Sequence, residues 1–417
     1  MNNEDNLIPQ YRFPEFKNDG SWELHPIADK IDYERPDKYI VKNTNYVGDG
    51  TPVLTANKSF ILGYTNENEG IYKNNLPVII FDDFTVDNKF VDFPFKVKSS
   101  AIKILKNKDY KDSLEFFYGL MSQIKFEAKE HKRYYISSYQ NIEIPFPINP
   151  AEQRKIAACL SSLDDVITGH QEKLQVLEDH KNGLMQNLFP QEGETTPRFR
   201  FPEFQDDGEW MEKTIIDTAD KNIKWSFTGG PFGSNLKSSD YTSNGIRIIQ
   251  LQNIGDGIFK NDYKIYTSIE KADELLSCNI YSGDIILSKM GDPVGRACIM
   301  PGVNERYLMA SDGIRLAVDE KEFSKYFIFS SINSDNIRKK IEAKSTGSTR
   351  KRIGLDILKQ ILLLVPSNIK EQQKIADVLS SVDELIAGHR EKIDALKEHK
   401  RGLMQGLFPK IESKVWL

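Results

Sequence analysis

The chain has 417 residues, more than one ordinary domain holds, so we expect two or three domains. Hydrophobic residues make up 39% of it and charged residues 28%, which is typical of a globular protein with apolar cores. No apolar run approaches the length that crosses a bilayer, and the polar, acidic start is unlike a secretory signal. Three scattered cysteines form no disulfide framework. These features favour a cytoplasmic protein that does not associate with membranes.

The formal net charge is −5. Nucleic-acid-binding proteins usually carry a basic surface, so this value argues weakly against such a partner. A large protein can nevertheless be acidic overall and basic on one face. The global charge therefore does not decide the class of partner.

An internal repeat is the strongest feature of the sequence. Residues 12–16 (Arg-Phe-Pro-Glu-Phe) return as residues 200–204, and an Asp-Gly-x-Trp motif follows each copy. The longer segment 152–190 returns as 371–409, and roughly 24 of its 39 positions are identical. The regions between these copies do not resemble each other. The repeat therefore predicts a duplicated architecture, in which a variable region precedes each copy of a common segment.

Each common segment is predicted to be one long helix that ends at a Leu-Phe-Pro sequence. Its apolar residues recur at alternating intervals of four and three, which predicts a coiled-coil seam. Because a two-fold axis that crosses the coil relates the copies, we expect the two helices to run antiparallel and to hold the variable regions apart. The candidate seam residues are Ile156, Leu160, Leu163, Ile167, Leu174 and Leu177 in the first copy and Ile375, Leu379, Val382, Ile386, Ile393 and Leu396 in the second.

Polar residues and glycines recur at the same points of both predicted helices. A histidine and a lysine interrupt each seam, at positions 170 and 181 and at positions 389 and 400, and such residues fix register. Histidines ten residues apart do not share a helix face, so we predict no metal site. Glycines at 169, 183, 388 and 402 predict close backbone approach or local bending.

Both variable regions contain short Val, Ile, Phe and Tyr runs between turn residues, with helical pieces near 112–125 and 324–343. The predicted fold class is α+β, with two β-rich domains joined by two long helices in a pseudo-two-fold repeat. The predicted boundaries are 1–149 for the first domain, 150–190 for the first helix, 191–368 for the second domain with a linker at 191–204, 369–409 for the second helix and 410–417 for a tail.

Two basic clusters lie at matching points of the repeat, each 21 residues before a common segment. They are His131, Lys132 and Arg133 in the first half and Arg350, Lys351 and Arg352 in the second. The hydroxyl residues Thr346 and Ser348 precede the second cluster, and hydroxyls, amides and basic side chains together are the groups that bind DNA phosphates. A single cluster would suit a solvated loop, but the matched placement favours DNA.

Further candidate DNA contacts lie in the second variable region. A Gly-rich loop, residues 228–237, resembles a phosphate cradle but lacks the GxxxxGK[ST] spacing, so a tight turn or a DNA-facing loop is the better interpretation. The amides of Gln250, Gln252 and Asn253 are of the kind that binds adenine in a groove, although they are also ordinary residues at a strand end. The remaining candidates in this region are Lys237, Ser238, Tyr241, Lys289 and Arg296.

We find no catalytic motif in the sequence: no methyltransferase tetrapeptide, Walker A motif, zinc-ligand spacing, nucleophile elbow or dinucleotide fingerprint. A binding scaffold is the simplest interpretation. Two alternatives remain open. One is a nuclease with an unrecognised carboxylate site, since Glu-Ala-Lys triplets occur at 127–129 and 342–344 in helix-like sequence. The other is a coiled-coil interaction protein, which would leave the matched basic clusters unexplained.

Nearly the whole chain resembles the specificity subunits of type I restriction-modification systems. The individual motifs are loose, but their order and duplication are specific. The resemblance rests on segments 12–16, 200–204, 230–236, 252–254, 283–289, 346–349 and 371–376 and, for a different type of recognition domain, on 60–66 and 78–84. The segment 60–66 adds Tyr64, Thr65 and Asn66 to the candidate DNA contacts.

The resemblance implies a function without catalysis by this chain. Each recognition domain would bind one short half of an asymmetric, bipartite sequence in double-stranded DNA. The helix pair would set the gap and dock two methyltransferase subunits, to which the restriction-translocation subunits attach. S-adenosylmethionine, ATP and Mg²⁺ are then expected on those partners, with no cofactor in this chain. Because the two variable regions differ, we expect unequal half-sites.

Overall fold

The computed structural model describes residues 7–57, 59–130, 132–348 and 350–410. The chain divides into two compact units: unit 1 contains the described residues up to Gln171 and those from Glu391 onward, and unit 2 contains Glu172–Arg390.

The α-helices are α1 Ile27–Lys30, α2 Leu114–Met121, α3 Pro150–Leu188, α4 Ile269–Glu274, α5 Lys325–Asn333, α6 Asp335–Ala343, α7 Leu355–Leu358 and α8 Ile369–Leu407. The strands are β1 Glu23–Pro26, β2 Ile31–Glu34, β3 Thr51–Leu54, β4 Ile61–Thr65, β5 Val78–Asp82, β6 Asn88–Val91, β7 Lys96–Val97, β8 Ile102–Asn107, β9 Glu143–Phe146, β10 Met211–Thr214, β11 Phe227–Gly229, β12 Tyr241–Thr242, β13 Ile246–Ile249, β14 Ile265–Thr267, β15 Asn279–Tyr281, β16 Ile285–Ser288, β17 Ala297–Ile299, β18 Arg306–Met309, β19 Gly313–Leu316 and β20 Leu362–Val365.

The variable region of unit 1 is built on two small sheets. One is antiparallel with the order β2-β8-β5-β6, and the other has the order β4-β3-β7, in which β3 and β7 are parallel. Successive side chains of a strand point to opposite faces. Accordingly, Val78 and Ile80 of β5 enter one apolar core, while Ile79 and Phe81 enter the core that contacts α2 and the long helices. Both faces of this sheet are therefore covered.

Unit 2 contains different sheets. The antiparallel sheet β11-β19-β16-β17 packs against α5 and the long helices, and a second sheet has the order β12-β14-β13-β18-β15 with β13 and β18 parallel. Ile285 and Leu287 of β16 face the first core, whereas Ile286 faces the second with Ile249 and Ile280. The two variable regions are thus both β-rich and α+β, as predicted, but they differ in strand order.

Each long helix begins beside a buried arginine–glutamate pair. In unit 1, Glu152 in the first turn of α3 accepts Arg12 Nε at 2.7 Å and Nη2 at 2.8 Å, and Arg12 also donates to the carbonyl of Gly20 at 2.6 Å. The carboxylate is only 1% exposed. Its hydrogen bonds raise the pKa of Arg12, and the negative charge suits a helix N-terminus.

The same arrangement recurs in unit 2 at the first turn of α8. Glu371 accepts Arg200 Nε and Nη2, both at 2.8 Å, and Arg200 donates to the carbonyl of Gly208 at 2.6 Å. Trp210 Nε1 adds a hydrogen bond to Glu371 at 3.3 Å. We call Arg12, Trp22, Glu152 and Gln153 in unit 1, and Arg200, Trp210, Glu371 and Gln372 in unit 2, the seat of each unit.

A helix from each dissimilar variable region packs on the seat in the same way. In unit 1, Gln153 Oε1 accepts the backbone N–H of Ser113, which caps α2, at 2.9 Å. In unit 2, Gln372 Oε1 accepts the N–H of Ser324, just before α5, also at 2.9 Å. The aromatic contacts also match. Trp22 meets Phe116 and Phe408, and Trp210 meets Phe327 and Phe189.

The two long helices run antiparallel within each unit. In unit 1, Lys400 of α8 contacts Asp164 of α3 at 2.5 Å. In unit 2, Lys181 of α3 contacts Asp383 of α8 at 2.7 Å, and Tyr326 of α5 donates to the same carboxylate. Burial and this hydrogen bond raise the pKa of Tyr326. The lysines predicted at polar seam positions therefore form ion pairs with the other helix.

The predicted seam residues are mostly withdrawn from solvent. Leu163, Leu174 and Leu396 are half-buried, and the other nine are buried. Coiled-coil packing along the full length remains a prediction, as does the division of the chain into recognition domains. The helices begin at Pro150 and Ile369, the positions that the sequence predicted. No helix among the described residues is both long and apolar enough to span a membrane.

The structure corrects two details of the helix prediction. A Cβ atom on Gly169, Gly183, Gly388 or Gly402 would meet nothing within 4 Å apart from its own helix, so these glycines mark no close backbone approach. The triplet 127–129, expected in a helix, lies in a segment without regular structure, because the hydrogen-bonded turns of α2 end at Met121 and those that follow stop at Ile124.

Candidate nucleic-acid interface

The second basic cluster belongs to a narrow hairpin between α6 and α7. Thr346 and Arg352 exchange both backbone hydrogen bonds at 2.8 Å. The turn between them needs Gly347, whose φ is +100°, because a Cβ there would lie 2.8 Å from the carbonyl oxygen of Arg350. Ser348 and Arg350 are consequently exposed on the hairpin.

Backbone hydrogen bonds fasten this hairpin to the segment after β16. Gly291 N–H donates to the carbonyl of Lys351 at 3.0 Å, and the buried Ile353 donates to the carbonyl of Lys289 at 3.0 Å. Lys289, a predicted contact, is half-buried at this junction. The hairpin is therefore held by the sheet, although its side chains point outward.

The three basic side chains of the hairpin differ in their partners. Lys351 forms an ion pair with Glu342, and Arg352 contacts Asp312 at 2.6 Å. Arg350 makes no hydrogen bond or ion pair with any residue that the structure describes. Ion pairs this exposed are weak, so a phosphate group can displace them. The hairpin thus offers one cation without a partner among the described residues and two cations whose ion pairs a phosphate group can replace.

The predicted amide cluster follows β13. Gln250 Nε2 donates to the hydroxyl of Tyr241, and Gln252 Nε2 donates to Gln250 Oε1, each at 3.3 Å. Gln252 and Tyr241 are exposed and Gln250 is half-buried. This row of side chains retains free acceptor and donor positions that suit a base edge.

Asn253 has a different role from the one predicted. It is fully buried, its Oδ1 accepts the backbone N–H of Gln250 at 3.0 Å, and its Nδ2 donates to the carbonyls of Lys260 and Tyr263 at 3.0 and 2.9 Å. An amide that is used inside the protein cannot also face DNA. Asn253 instead shapes the turn that presents Gln250 and Gln252.

A cavity of about 260 Å³ brings these separate motifs together. Its lining combines the Gly-rich loop, the amide cluster and the connection between β18 and β19. Asp312 in that connection also holds Arg352, so the basic hairpin adjoins the cavity. The lining residues are Pro231, Phe232, Gly233, Leu236, Tyr241, Gln250, Leu251, Gln252, Ala310, Ser311 and Asp312.

The other predicted contacts of unit 2 surround this cavity at different depths. Lys237 and Ser238 are exposed just after the Gly-rich loop. Arg296 is half-buried beneath the amide turn, where its Nη2 lies 3.5 Å from the carbonyl of Leu251. Arg296 therefore supports the amide turn from below.

Two residues of the cavity, Phe232 and Asp312, were not among the candidates that the sequence predicted. Phe232 is 84% exposed at the cavity. The aromatic residue could have been noticed within the Gly-rich loop, whereas nothing in the sequence marks Asp312.

In unit 1 the structure anchors the first basic cluster differently. Tyr134 and Tyr135 donate their backbone N–H groups to the carbonyl and the carboxylate of the buried Asp83, both at 2.8 Å. Lys132 is exposed and paired with Glu130 at 2.6 Å, and Arg133 is exposed beside the ring of Phe84. His131 lies outside the described residues.

The candidate contacts on β4 of unit 1 do not converge with that cluster. Asn66 is exposed, Tyr64 is half-buried, and Thr65 is buried with its hydroxyl accepting the N–H of Glu67 at 3.3 Å. Thr65 therefore faces the protein interior and is not a surface contact. Within the described part of unit 1, no hydrogen bond or ring contact joins Tyr64 or Asn66 to Lys132 or Arg133.

Two dissimilar β-rich regions on matching seats at the starts of two repeated helices define a class of duplicated proteins with two different candidate binding surfaces. The family model of the type I restriction modification DNA specificity domain matches residues 21–179 and 232–398. The chain belongs to this family, the non-catalytic DNA-recognition subunits of type I restriction-modification systems.

Similar proteins cover the chain almost from end to end. The type I restriction enzyme EcoR124I/EcoR124II specificity subunit of Escherichia coli is 32% identical over 377 residues, which are 86% of this chain and 86% of that protein. The MjaVIII specificity subunit of Methanocaldococcus jannaschii is 23% identical and covers 93% of this chain and 92% of its own length. The crystal structure of the S subunit from M. genitalium has the same fold, with a TM-score of 0.66 at 14% identity over 97% of this chain and 100% of that one.

Proposed function

We propose that unit 1 and unit 2 each bind one short half of an asymmetric, bipartite sequence in double-stranded DNA. The observation that carries this proposal is the repeated seat: Glu152 and Glu371 hold equivalent arginines, while the domains on the two seats differ in strand order. Two different binding surfaces on equivalent seats suit two unequal half-sites, whereas two identical surfaces would suit a palindromic DNA sequence.

In unit 2 the DNA-binding surface is the cavity with its adjoining basic hairpin. Arg350, Lys351, Arg352, Lys237 and the hydroxyls of the hairpin bind phosphates and set the register. Gln250 and Gln252 contact base edges, since their amides match the donor and acceptor pattern of adenine in the major groove. In unit 1 the exposed Lys132 and Arg133 bind phosphates.

The helix pair is the docking element for two methyltransferase subunits, which in turn carry the restriction-translocation subunits. S-adenosylmethionine, ATP and Mg²⁺ belong to those partners, and this chain supplies no cofactor site. The two equal helix segments offer two equivalent places for one kind of partner. The cytoplasm is the compartment that fits three free thiols and a DNA target.

Methylome sequencing tests the proposal. A host without DNA methylation expresses the neighbouring methyltransferase subunit with this chain and, as the control, without it. We expect a bipartite, asymmetric methylated-adenine motif that requires this chain. Methylation that does not depend on the chain, or an active pair that methylates without any motif, would contradict the proposal and favour a coiled-coil interaction protein.

A further inference from the structure

Phe232 presents an aromatic ring to solvent at the edge of the cavity in unit 2. Its side chain is 84% exposed, although the residue next to it, Pro231, is buried. Burying a phenylalanine stabilises a protein, and the free chain does not gain that stabilisation here. A single exposed apolar residue is common on protein surfaces, so its surroundings must show whether it has a role.

The loop that carries Phe232 is held close to the sheet by its backbone. Gly230 donates its N–H to the carbonyl of Gly313 at 3.0 Å, and a Cβ at Gly230 would lie 1.8 Å from the carbonyl oxygen of Ala310. Only glycine fits at such a distance. Asn235 N–H donates to the carbonyl of Phe232 at 2.8 Å and closes the turn. These contacts fix the backbone of the loop against the sheet, and the ring of Phe232 lies on its solvent side.

Groups of the kind that bind DNA surround the ring. Tyr241, Gln250 and Gln252 line the same cavity, and Asp312 in its wall holds Arg352 of the basic hairpin. An apolar ring beside exposed amides and cations resembles the wedge side chains of minor-groove-binding proteins, which enter between base pairs and partly unstack them. Here the ring would enter from the groove that the amides of the cavity face. Such a wedge gains in the complex the burial that it lacks in the free protein.

We propose that Phe232 inserts between two base pairs at or beside the half-site bound by unit 2, with the amides of the cavity contacting the adjoining base edge. This inference rests on the proposed function, because it requires that unit 2 bind DNA. It adds a positioning residue that selects a deformable base step in addition to the bases contacted directly. Pyrimidine–purine steps are the easiest to unstack, so we expect one at the insertion point.

The test uses the full chain assembled with its methyltransferase subunit and a duplex that carries the motif found by methylome sequencing. 2-Aminopurine replaces one base at a time along both half-sites, and its fluorescence rises where the base loses stacking. The methylated adenine stays unsubstituted, because a methyltransferase extrudes its own target base. The variants are Phe232→Ala, Phe232→Leu, which keeps an apolar wedge, and Val303→Ala, a control that removes another exposed apolar side chain (76% exposed) from unit 2.

We expect a fluorescence rise at one step of one half-site, which disappears in Phe232→Ala and persists in Phe232→Leu and Val303→Ala. Affinity for the target should fall about tenfold in Phe232→Ala, within the range of lost base–aromatic stacking. The dependence of affinity on salt concentration should stay the same, since the ring binds no phosphate.

Three outcomes would overturn the inference. The complex with the unaltered chain gives no fluorescence rise, the Phe232→Ala complex shows the same rise as the unaltered complex, or the Phe232→Ala complex loses its methyltransferase subunit. The last outcome would mean that the ring contacts the partner protein. Failure of the proposed function is distinguishable, because the unaltered complex would then show no preference for any motif.

Discussion

Glu152 and Glu371 are carboxylates with almost no contact with water, and one arginine satisfies each of them through two hydrogen bonds. Such a pair is costly to bury, and removing one partner leaves the other as an unpaired charge in the interior. The arginine comes from the repeated Arg-Phe-Pro-Glu-Phe segment (12–16 or 200–204) and the glutamate from the long helix, so each pair joins distant parts of its unit. This explains why the Arg-Phe-Pro-Glu-Phe segment and the glutamate at the start of the long helix recur together in both halves of the sequence.

We expect Arg200→Ala to lower the free energy of unfolding by about 3 kcal/mol, because Glu371 is then buried without a counter-charge. Unfolding in urea, followed by tryptophan fluorescence, measures the change, since Trp210 contacts Glu371. The matched control is Lys374→Ala, which removes the exposed ion pair with Glu203 and should have little effect. Equal losses in both variants would show that burial of the pair is unimportant. The double variant Arg200→Met with Glu371→Leu should lose less than the single variant.

Arg350 is the one cation of the basic hairpin without a partner among the described residues. We expect Arg350→Ala to weaken binding of the assembled complex to all DNA sequences and to lower the slope of log affinity against log salt by about one. Fluorescence anisotropy at several salt concentrations, with target and non-target duplexes, measures both effects. Lys221→Ala, which removes an exposed lysine of the same unit outside the cavity and hairpin, is the control. Loss of target binding alone would mean that Arg350 contacts a base.

At the scale of elements, the helices α3 and α8 show how a repeated sequence serves two different domains. Each supplies a glutamate and a glutamine in its first turn. The glutamate binds the arginine of the repeated Arg-Phe-Pro-Glu-Phe segment, and the glutamine accepts a backbone N–H at the N-terminal end of α2 or α5. The rest of each domain can differ in sequence and strand order, since the seat contacts only the part of the domain beside the start of the long helix. The residues that attach each domain to its long helix are therefore different from the residues that we propose bind DNA.

Four glycines of the long helices, at 169, 183, 388 and 402, lower helix stability, and a Cβ atom on any of them would meet nothing within 4 Å outside its own helix. We expect Gly388→Ala to raise the free energy of unfolding by about 1 kcal/mol, because alanine has the higher helix propensity and its Cβ meets no neighbour within 4 Å. Urea unfolding of the full chain measures this, and Gly406→Ala is the opposite control. There a Cβ would lie 2.1 Å from the ring of Tyr11, so stability should fall. Weaker association of Gly388→Ala with the methyltransferase subunit would indicate that the partner packs on this face.

At the scale of the molecule, each unit has its own cores and its own candidate contacts. Changes in one unit should therefore alter one half-site only. We expect Gln252→Ala to relax the motif at one half and Asn66→Ala to relax it at the other, with additive effects in the double variant, because sites that share no partner residues contribute independently. Methylome sequencing of the three strains measures this. If both single variants relax the same half, the assignment of one half-site to each unit is wrong.

The sequence by itself determined the architecture. A repeat of this length demands a duplicated architecture, and the spacing of apolar residues predicted one long helix in each copy, as the structure has in α3 and α8. The glutamates and glutamines of the seat lie inside the repeat, although the sequence does not show which partners they contact. Periodicity and duplication can be recognised from the sequence alone, because neither depends on knowing which residues are in contact in the folded protein.

The tertiary structure alone decided which candidates share a surface. It placed Gln250 and Gln252 beside the Gly-rich loop and, through Asp312, beside the basic hairpin, while it turned Asn253 and Thr65 inward. It also showed that Phe232 faces solvent. The physical reason is that strand pairing and turn geometry set the direction of each side chain, and both depend on partners tens of residues away in the sequence. Residue type can identify a group able to bind DNA, but only the packed sheet determines whether that group reaches the surface.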